Sequence, residues 1–401
     1  MYLWKGRASG HYWRTFRERM GRRPPALDRE TRGCLWIHAV SVGEVVAARA
    51  LVERLAAAQP GRKVVVSTTT AAGGAVAAQG LPADRLFVAP FDFPWAVASA
   101  LDGLQPSAVV LMETELWPNL IRAARRRGIP VAVVNGRIST RSFPRYRRIA
   151  PLLKHVLAQV DLFLMQSDVH ADRIRAIGAP PARVRVAGNL KYDALPDPVP
   201  PAGLAEQVGP GPLWVAGSTM AGEDEIVLRA FAAARRSHPA LRLVLAPRRP
   251  ERFAEVPGLC AAAGLRCARR SALGDAAWPD GDVLLLDTVG ELARVYALAT
   301  VVFVGGSLVP TGGHNVLEAA VAGKAVVVGP HMENFQEIAD AFRVAGALVQ
   351  IGSADALGPE IAALLSDDAR RAAIGERARS LVVANRGGLD TTVRALLGLL
   401  A

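Results

Sequence analysis

Gly305-Gly-Ser-Leu-Val-Pro-Thr-Gly-Gly-His-Asn-Val-Leu-Glu-Ala-Ala320 is the stretch that decides the fold. Just before it, Val301–Val304 is apolar and mostly β-branched, which predicts a short buried strand. After it, Asn315 to Ala322 reads as a helix with Val316, Leu317 and Ala320 on one side. Between them lie four glycines and a polar corner of His314, Asn315 and Glu318. Glycines let backbone amides come close to a ligand, and a helix N-terminus adds partial positive charge suited to a phosphate. Asn315 and Glu318 are three apart and share a helix face. A carboxylate there suits the two hydroxyls of a ribose. A glycine-rich turn with a helix cap is the plain alternative; the pairing with Glu318 favours a nucleotide-sugar pocket.

Outward from this stretch, short apolar runs alternate with helical patterns in both directions. In the first half the expected strands are Leu35–Val40, Val64–Thr68, Leu86–Ala89, Ala108–Met112, Val131–Val134 and Leu162–Met165, with a further one around Val184–Ala187. Helical stretches such as Val45–Ala58, Leu120–Arg127 and Val169–Ile177 fall between them. The Pro-rich stretch Leu195 to Pro201 interrupts the pattern, which resumes with Leu213–Ala216, Leu243–Ala246, Val283–Leu286, Val301–Val304 and Ala325–Val328. Nearly all-apolar strands alternating with helices predict α/β architecture with parallel sheets covered on both faces. The expectation is two doubly wound, Rossmann-like domains, residues 1–198 and 199–401, with ligands in the cleft between them at the strands' carboxyl ends. The last helices are candidates to pack back on the first domain.

Composition narrows the class. With 401 residues, 51% hydrophobic and 21% charged, the chain suits two well-cored domains rather than a disordered protein. Cys34, Cys260 and Cys267 form no C-x-x-C and no even framework, which disfavours structural zinc and disulfide scaffolds. Charge is uneven: residues 1–200 hold 29 Lys/Arg against 15 Asp/Glu, and residues 201–401 hold 19 against 21. From Leu116 to Val160 there are ten basic residues and no acid, which favours an anionic partner. No zinc-finger, RNA-recognition or helix-turn-helix pattern accompanies them, so nucleic acid is not expected and an anionic membrane surface is. Residues 1–23 add seven basic side chains among Tyr2, Trp4, Tyr12, Trp13 and Phe16, a mixture suited to lipid headgroups. No apolar run approaches the roughly 18 residues of a span, so attachment is expected to be peripheral.

The unusual polar residues cluster after strands. Glu44 follows the first strand, Glu113 and Glu115 follow Ala108–Met112, and Lys191 follows the strand near Val184. In the second half Ser218 and Glu223, Pro247 and Arg248, Gly290 and Glu291, and His331, Glu333 and Asn334 stand in the same place. Helix capping accounts for Ser41 and Asp224. It does not account for carboxylates ending two separate strands of the first domain.

His38-Ala-Val-Ser-Val-Gly-Glu44, Met112-Glu-Thr-Glu-Leu-Trp-Pro-Asn119, Asn135-Gly-Arg-Ile-Ser139, Gly188-Asn-Leu-Lys-Tyr-Asp193, Ala246–Phe253 (APRRPERF), Asp287–Leu292 (DTVGEL), the glycine-rich run and Gly329–Ile338 (GPHMENFQEI) together resemble the bacterial Kdo transferase family. The resemblance runs from about Arg14 to the C-terminus. It implies a GT-B glycosyltransferase fold and transfer of 3-deoxy-D-manno-octulosonic acid (Kdo) from CMP-Kdo to the lipid A precursor (lipid IVA) of lipopolysaccharide. The implied reaction is inverting and metal-independent, with CMP-Kdo as donor substrate and no cofactor. Matched residue by residue, it puts the catalytic base on Glu44 and the transition-state stabilising residues on Glu113 and Lys191. The cytidine nucleotide contacts fall on Pro247 and Arg248, on Val289, Gly290 and Glu291, and on Asn315, Val316, Leu317 and Glu318. A general base suits an inverting displacement, and helix N-termini with Arg248 suit the departing phosphate. The implied location is the cytoplasmic face of the inner membrane, although the family commonly begins with a hydrophobic anchor that does not appear here. An anionic lipid acceptor gives the basic stretch a role. Arg137, Arg141, Arg145, Arg147 and Arg148, with Arg122, Arg125, Arg126 and Arg127, are the candidates to meet its phosphates and the membrane. Two rivals differ at identifiable residues. A UDP-sugar GT-B enzyme shares the second-domain pocket without the HAVSVGE and METELWPN runs, and a non-catalytic binding protein has no use for a base at Glu44.

Overall fold

The computed structural model describes residues 14–22, 32–195, 198–274, 278 and 282–400. Tyr2, Trp4, Tyr12 and Trp13 of the basic aromatic N-terminus lie outside the described residues, as do Pro196 and Asp197 of the Pro-rich stretch. The chain forms two compact units, Met1–Ala194 with Asn385–Ala401, and Leu195–Ala384. The division falls four residues before the expected one, and the C-terminal segment belongs to the first unit.

The first unit contains β1 (Leu35–His38), β2 (Val64–Thr68), β3 (Arg85–Val88), β4 (Ala108–Met112), β5 (Val131–Gly136), β6 (Leu162–Met165) and β7 (Val184–Val186). They form one sheet in the order β3-β2-β1-β4-β5-β6-β7, and every pairing is parallel. Successive side chains point to opposite faces, so each strand feeds two cores. Trp36, Val109, Leu111, Val131, Val133 and Phe163 fill one, and Leu35, Ile37, Val110, Met112, Val134 and Leu164 fill the other. Both faces are covered, which is why the strands carry no apolar–polar alternation. Helix Val42–Ala58 covers the second face with Val45, Ala48, Leu51, Val52 and Leu55. The last helix, Gly388–Leu400, joins it through Val393 and Leu396. Its start is fixed by Asp193, whose carboxylate accepts the amides of Gly387 (2.7 Å) and Leu389 (2.9 Å). This local tie is the reason the C-terminus leaves the second unit.

The second unit has β8 (Leu213–Thr219), β9 (Arg242–Pro247), β10 (Cys267–Arg269), β11 (Val283–Leu285), β12 (Val301–Val304), β13 (Ala325–Val328) and β14 (Val349–Gln350). Their order is β10-β11-β9-β8-β12-β13-β14, again parallel throughout. Edge strands β10 and β14 are unforeseen by the sequence reading, being two or three residues long and partly polar, below the length at which a period shows. The helix expected from Asn315 to Ala322 is shorter, Leu317–Val321, because the Asn315 side chain accepts the Leu317 amide at 3.1 Å and fixes the turn before it. Among the described residues no helix is long and apolar enough to cross a membrane.

Candidate active site

In an open parallel sheet, ligands gather where the strand order reverses, beyond the carboxyl ends of the two strands that part there. In the first unit that point lies between β1 and β4. Beyond β1 the chain turns through Ala39 and Val40 into Ser41, the N-cap of helix Val42–Ala58, and Glu44 occupies its first turn. The Ser41 hydroxyl donates to Glu44 Oε1 (2.8 Å) and accepts the Glu44 amide (3.4 Å), while Oε2 accepts the Val40 amide (2.8 Å). This is a variant of the capping box in which the glutamate reaches the amide before the N-cap, so the local sequence Ser-Val-Gly-Glu aims the carboxylate back over the strand end. Glu44 is 5% exposed. Burial, reinforced by the neighbouring charge of Glu113 and less by Glu115, pushes its carboxyl up to about 7 against the pull of the Val40 and Ser41 bonds. A carboxylate poised there is matched to proton abstraction near neutrality.

Glu113 leaves β4 with a φ of +53°. A left-handed backbone at a residue other than glycine costs about 1–3 kcal/mol and is kept where surroundings enforce it. Its carboxylate meets the Lys191 ammonium at 3.4 Å, both side chains about one-fifth exposed. The sequence reading and the structure thus bring Glu44, Glu113 and Lys191 into one group. Three further residues build it and escaped that reading as site members. Asn135, at φ +54° near the end of β5, accepts the Leu190 amide on its side-chain oxygen at 3.1 Å. Gln166 after β6 donates to the Asn135 carbonyl (3.0 Å) and accepts from Asn189 (3.2 Å), whose oxygen takes the Lys191 amide (3.0 Å). Lys191 is therefore delivered to Glu113 by a polar brace crossing the ends of β5, β6 and β7. The only sequence signal was polar residues directly after apolar strands. His38, buried at the end of β1, bonds Ser67 through Nδ1 (2.8 Å), and burial lowers it to about 4, so it is neutral at pH 7.

In the second unit the order reverses between β8 and β12. Pro247 ends β9 in the core, and exposed Arg248 follows, its amide held by the Thr219 carbonyl at 2.9 Å. The Arg248 guanidinium has no side-chain partner among the described residues. It lies within electrostatic reach of three groups. Glu318 is raised by burial, with the Asn315 bond and Arg248 opposing. His314 is lowered to about 4 by burial and then Arg248. Tyr296, wholly buried, is raised by burial and by Glu318. Asn315 donates to Glu318 Oε1 at 3.3 Å, as their spacing implied. Val316 and Leu317 are buried supports. Val289 is 80% exposed and Gly290 has φ +93°, an open turn, while Glu291 is committed to Arg270 (3.2 Å) and Thr288. Among the described residues no hydrogen bond or ion pair joins that turn to Arg248 or Glu318.

Two readings need correction. Three amides at the head of the glycine-rich run are not free for a phosphate: Glu223, fully buried, accepts those of Gly306 (2.6 Å), Ser307 (3.0 Å) and Leu308 (2.8 Å). Asp224 is not a helix cap; Gly222 is the cap residue, and Asp224 is buried against Arg252 and the Thr219 hydroxyl (2.5 Å).

Of the basic stretch, Arg125 and Arg127 are paired with Asp161 (3.1 Å) and Asp102 (2.8 Å). Arg141, Arg145, Arg147 and Arg148 are exposed on and before helix Phe143–Arg148, which buries no residue, and have no ion-pair partner among the described residues. Exposed Ile149 and Leu152 follow them. Arg137 is half-buried, its amide donating to Thr114.

Known proteins share this chain's sequence and fold. The family model described as 3-Deoxy-D-manno-octulosonic-acid transferase (kdotransferase) matches residues 14–194, and that of glycosyl transferases group 1 matches residues 225–381. The 3-deoxy-D-manno-octulosonic acid transferase of Bordetella pertussis is 37% identical over 99% of this chain and 95% of its own length. That of Haemophilus influenzae is 35% identical over 89% and 84%. A solved glycosyltransferase from Rickettsia africae superposes with a TM-score of 0.58 at 13% identity, covering 92% of this chain and 97% of its own. The UDP-GlcNAc 2-epimerase of Neisseria meningitidis, bound to UDP-GlcNAc, gives 0.59 at 12% identity, over 92% and 99%. Those two establish the GT-B fold alone. At such identity over nearly its whole length to two Kdo transferases, the chain belongs to the 3-deoxy-D-manno-octulosonic acid transferase family and is a glycosyltransferase.

Proposed function

We propose that this enzyme transfers Kdo from CMP-Kdo to the lipid A precursor lipid IVA in lipopolysaccharide biosynthesis, with inversion at the anomeric carbon. Glu44 takes the proton from the acceptor hydroxyl as its oxygen attacks that carbon, and the bond to the CMP phosphate oxygen breaks with its electron pair leaving on CMP. Glu113 and Lys191 steady the oxocarbenium-like transition state. The first unit, Met1–Ala194 with the last helix, receives the acceptor, and the second receives the donor. Arg248 faces the phosphate, Glu318 and Asn315 the ribose, and Pro247, Val289, Gly290, Glu291, Val316 and Leu317 complete the nucleotide site. The growing charge on CMP falls to these side chains, with no metal or other cofactor. Exposed Arg141, Arg145, Arg147 and Arg148, with Arg137, meet the acceptor's phosphates and an anionic membrane surface, so the enzyme works peripherally at the cytoplasmic face of the inner membrane.

The observation that carries this reading is Glu44: a buried carboxylate, aimed by its capping box, beside the Glu113–Lys191 pair and raised to about 7. The test is incubation with labelled CMP-Kdo and lipid IVA, resolving the lipid product by mass and its anomeric configuration by NMR. Stoichiometric CMP release with inverted product supports the reading. Transfer from a UDP-sugar instead, or no lipid product, overturns it.

A further inference from the structure

Glu223 opens helix Glu223–Arg235 at the carboxyl end of β8 and has no exposed surface. Its carboxylate accepts four backbone amides. Oε2 takes those of Gly306 (2.6 Å) and Met220 (2.8 Å), and Oε1 those of Ser307 (3.0 Å) and Leu308 (2.8 Å). A carboxylate has about four lone-pair sites, so this one is filled. Three successive amides converging on one point form an anion nest, the arrangement that elsewhere cradles phosphates. The two glycines at its head are there for space. A Cβ on Gly305 would stand 2.8 Å from Glu223 Oε2, and one on Gly306, at φ +68°, would stand 2.7 Å from the His314 ring. Gly306 ties the nest to the rest of the loop, because its carbonyl accepts the Gly313 amide (2.7 Å) and the Thr311 hydroxyl (2.9 Å). The residue after Gly313 is His314, and Asn315 and Glu318 follow.

We infer that Glu223 is a positioning residue for the donor nucleotide: its carboxylate fills the anion nest of the 305–315 loop, so the His314–Glu318 corner is shaped before any nucleotide arrives. An empty nest would hold three inward amides without partners, and the loop would need a bound anion to keep its form. The same occupancy removes those three amides from the donor's phosphate, which leaves Arg248 and the rest of the loop to hold it. The identity of the donor rests on the function proposed above; the state of the loop does not.

The experiment compares wild type, Glu223→Gln and Glu223→Ala in two measurements. Hydrogen exchange follows the 305–318 segment in ligand-free protein, and calorimetry follows CMP binding, each with sodium formate or with chloride at equal ionic strength. The expected result is faster exchange at residues 306–308 in both variants and CMP binding about tenfold weaker or more. Formate, a carboxylate small enough for the vacated volume, should restore both properties in Glu223→Ala, and chloride should not. Glu223→Gln, whose amide still fills the space, should show no rescue. Unchanged exchange would overturn the inference. So would a loosened loop with CMP affinity intact, which would make Glu223 a structural residue only. If Glu223→Ala fails to fold, the isosteric Glu223→Gln carries both measurements. Wild type failing to bind CMP would refute the donor assignment, while the exchange and formate arms would still decide whether the carboxylate holds the loop.

Discussion

The two units solve the same local problem with the same residues and reach opposite ends. Each has a strand beside its reversal point followed by a Gly-Glu pair at the start of the next helix, Gly43-Glu44 inside its first turn after β1 and Gly222-Glu223 at its cap and first residue after β8. Glu223 receives four amides and is spent as a structural anion. Glu44 receives one amide and one hydroxyl, and faces the charges of Glu113 and Glu115. A hydrogen bond to an ionised group is worth about 1.5–3 kcal/mol, so the two further donors at Glu223, four against two, hold its carboxylate far more firmly than that of Glu44 is held. What makes Glu44 reactive is incomplete satisfaction, and the Gly-Glu sequence does not encode it.

The sharpest way to break that contrast is to remove the charge of Glu44 while keeping its shape. Glu44→Gln should lower kcat about 10²- to 10⁴-fold, the usual worth of general-base catalysis, and leave the affinity for CMP unchanged. Transfer near the wild-type rate, followed by mass spectrometry of the lipid product, would demote Glu44 to a capping residue like Glu223.

The second unit should fail differently. Arg248→Ala and Glu318→Ala are each expected to weaken CMP about 10- to 150-fold in a calorimetric titration, from the loss of charged hydrogen bonds. Neither should affect vesicle binding. An unaltered CMP affinity in Glu318→Ala would make its pairing with Asn315 purely structural.

A smaller effect is expected at the membrane-facing arginines. Reversing Arg141, Arg145 and Arg147 to glutamate should weaken binding to anionic vesicles about tenfold or more, at roughly 1 kcal/mol for each basic group near the surface. The acceptor KM should rise and CMP affinity should hold. The same reversal at Arg125 and Arg127 is the control, since those side chains already spend their charge on Asp161 and Asp102. Losses in a flotation assay that scale with the number of charges reversed, three residues against two, would mean the surface acts by net charge alone.

How far the sequence exposed this arrangement depends on the range of each interaction. β2, β4, β6, β12 and β13 stand where their apolar runs are, because a strand buried on both faces writes its whole length in Val, Ile and Leu. Glu44 was legible for a related reason: Ser41 and Glu44 interact three residues apart, and a strand–turn–helix pattern brackets them. Glu223 was seen as a residue after a strand, but three of its four amide partners lie 83 to 85 residues away. Nothing local distinguishes a carboxylate that meets a nest from one that meets water. Asn135 and Gln166 were hidden the same way, since their bonds run between the ends of separate strands. The glycine-rich run was read as an open phosphate site because its composition is that of one, and only the third dimension shows that the amides at its head already meet Glu223.

The finest test turns on Glu113, because the charge of Glu113 raises Glu44 and Lys191 partly cancels that charge. Glu44 must be ionised to act, so kcat/KM should climb as pH rises through about 7 and fall away below it. Glu113→Gln removes a neighbouring negative charge, so Glu44 ionises more readily and the acid limb should move to lower pH. Lys191→Met leaves Glu113 unopposed, and the limb should move up. Both shifts should be about one pH unit or less, since the groups are partly solvated and the effective dielectric is high. Stability should follow the opposite sign. A carboxyl raised in the folded state binds its proton more tightly than in the unfolded chain, so between about 4.5 and 7 the folded form loses stability as pH rises. Glu44→Gln should remove that slope, gaining on wild type by about 1–3 kcal/mol in urea melts above pH 7, less the Ser41 and Val40 bonds it weakens. If the acid limb stays fixed in both Glu113→Gln and Lys191→Met, the group that titrates near 7 is not Glu44. The contrast between the two glutamates would then have to be explained by geometry alone.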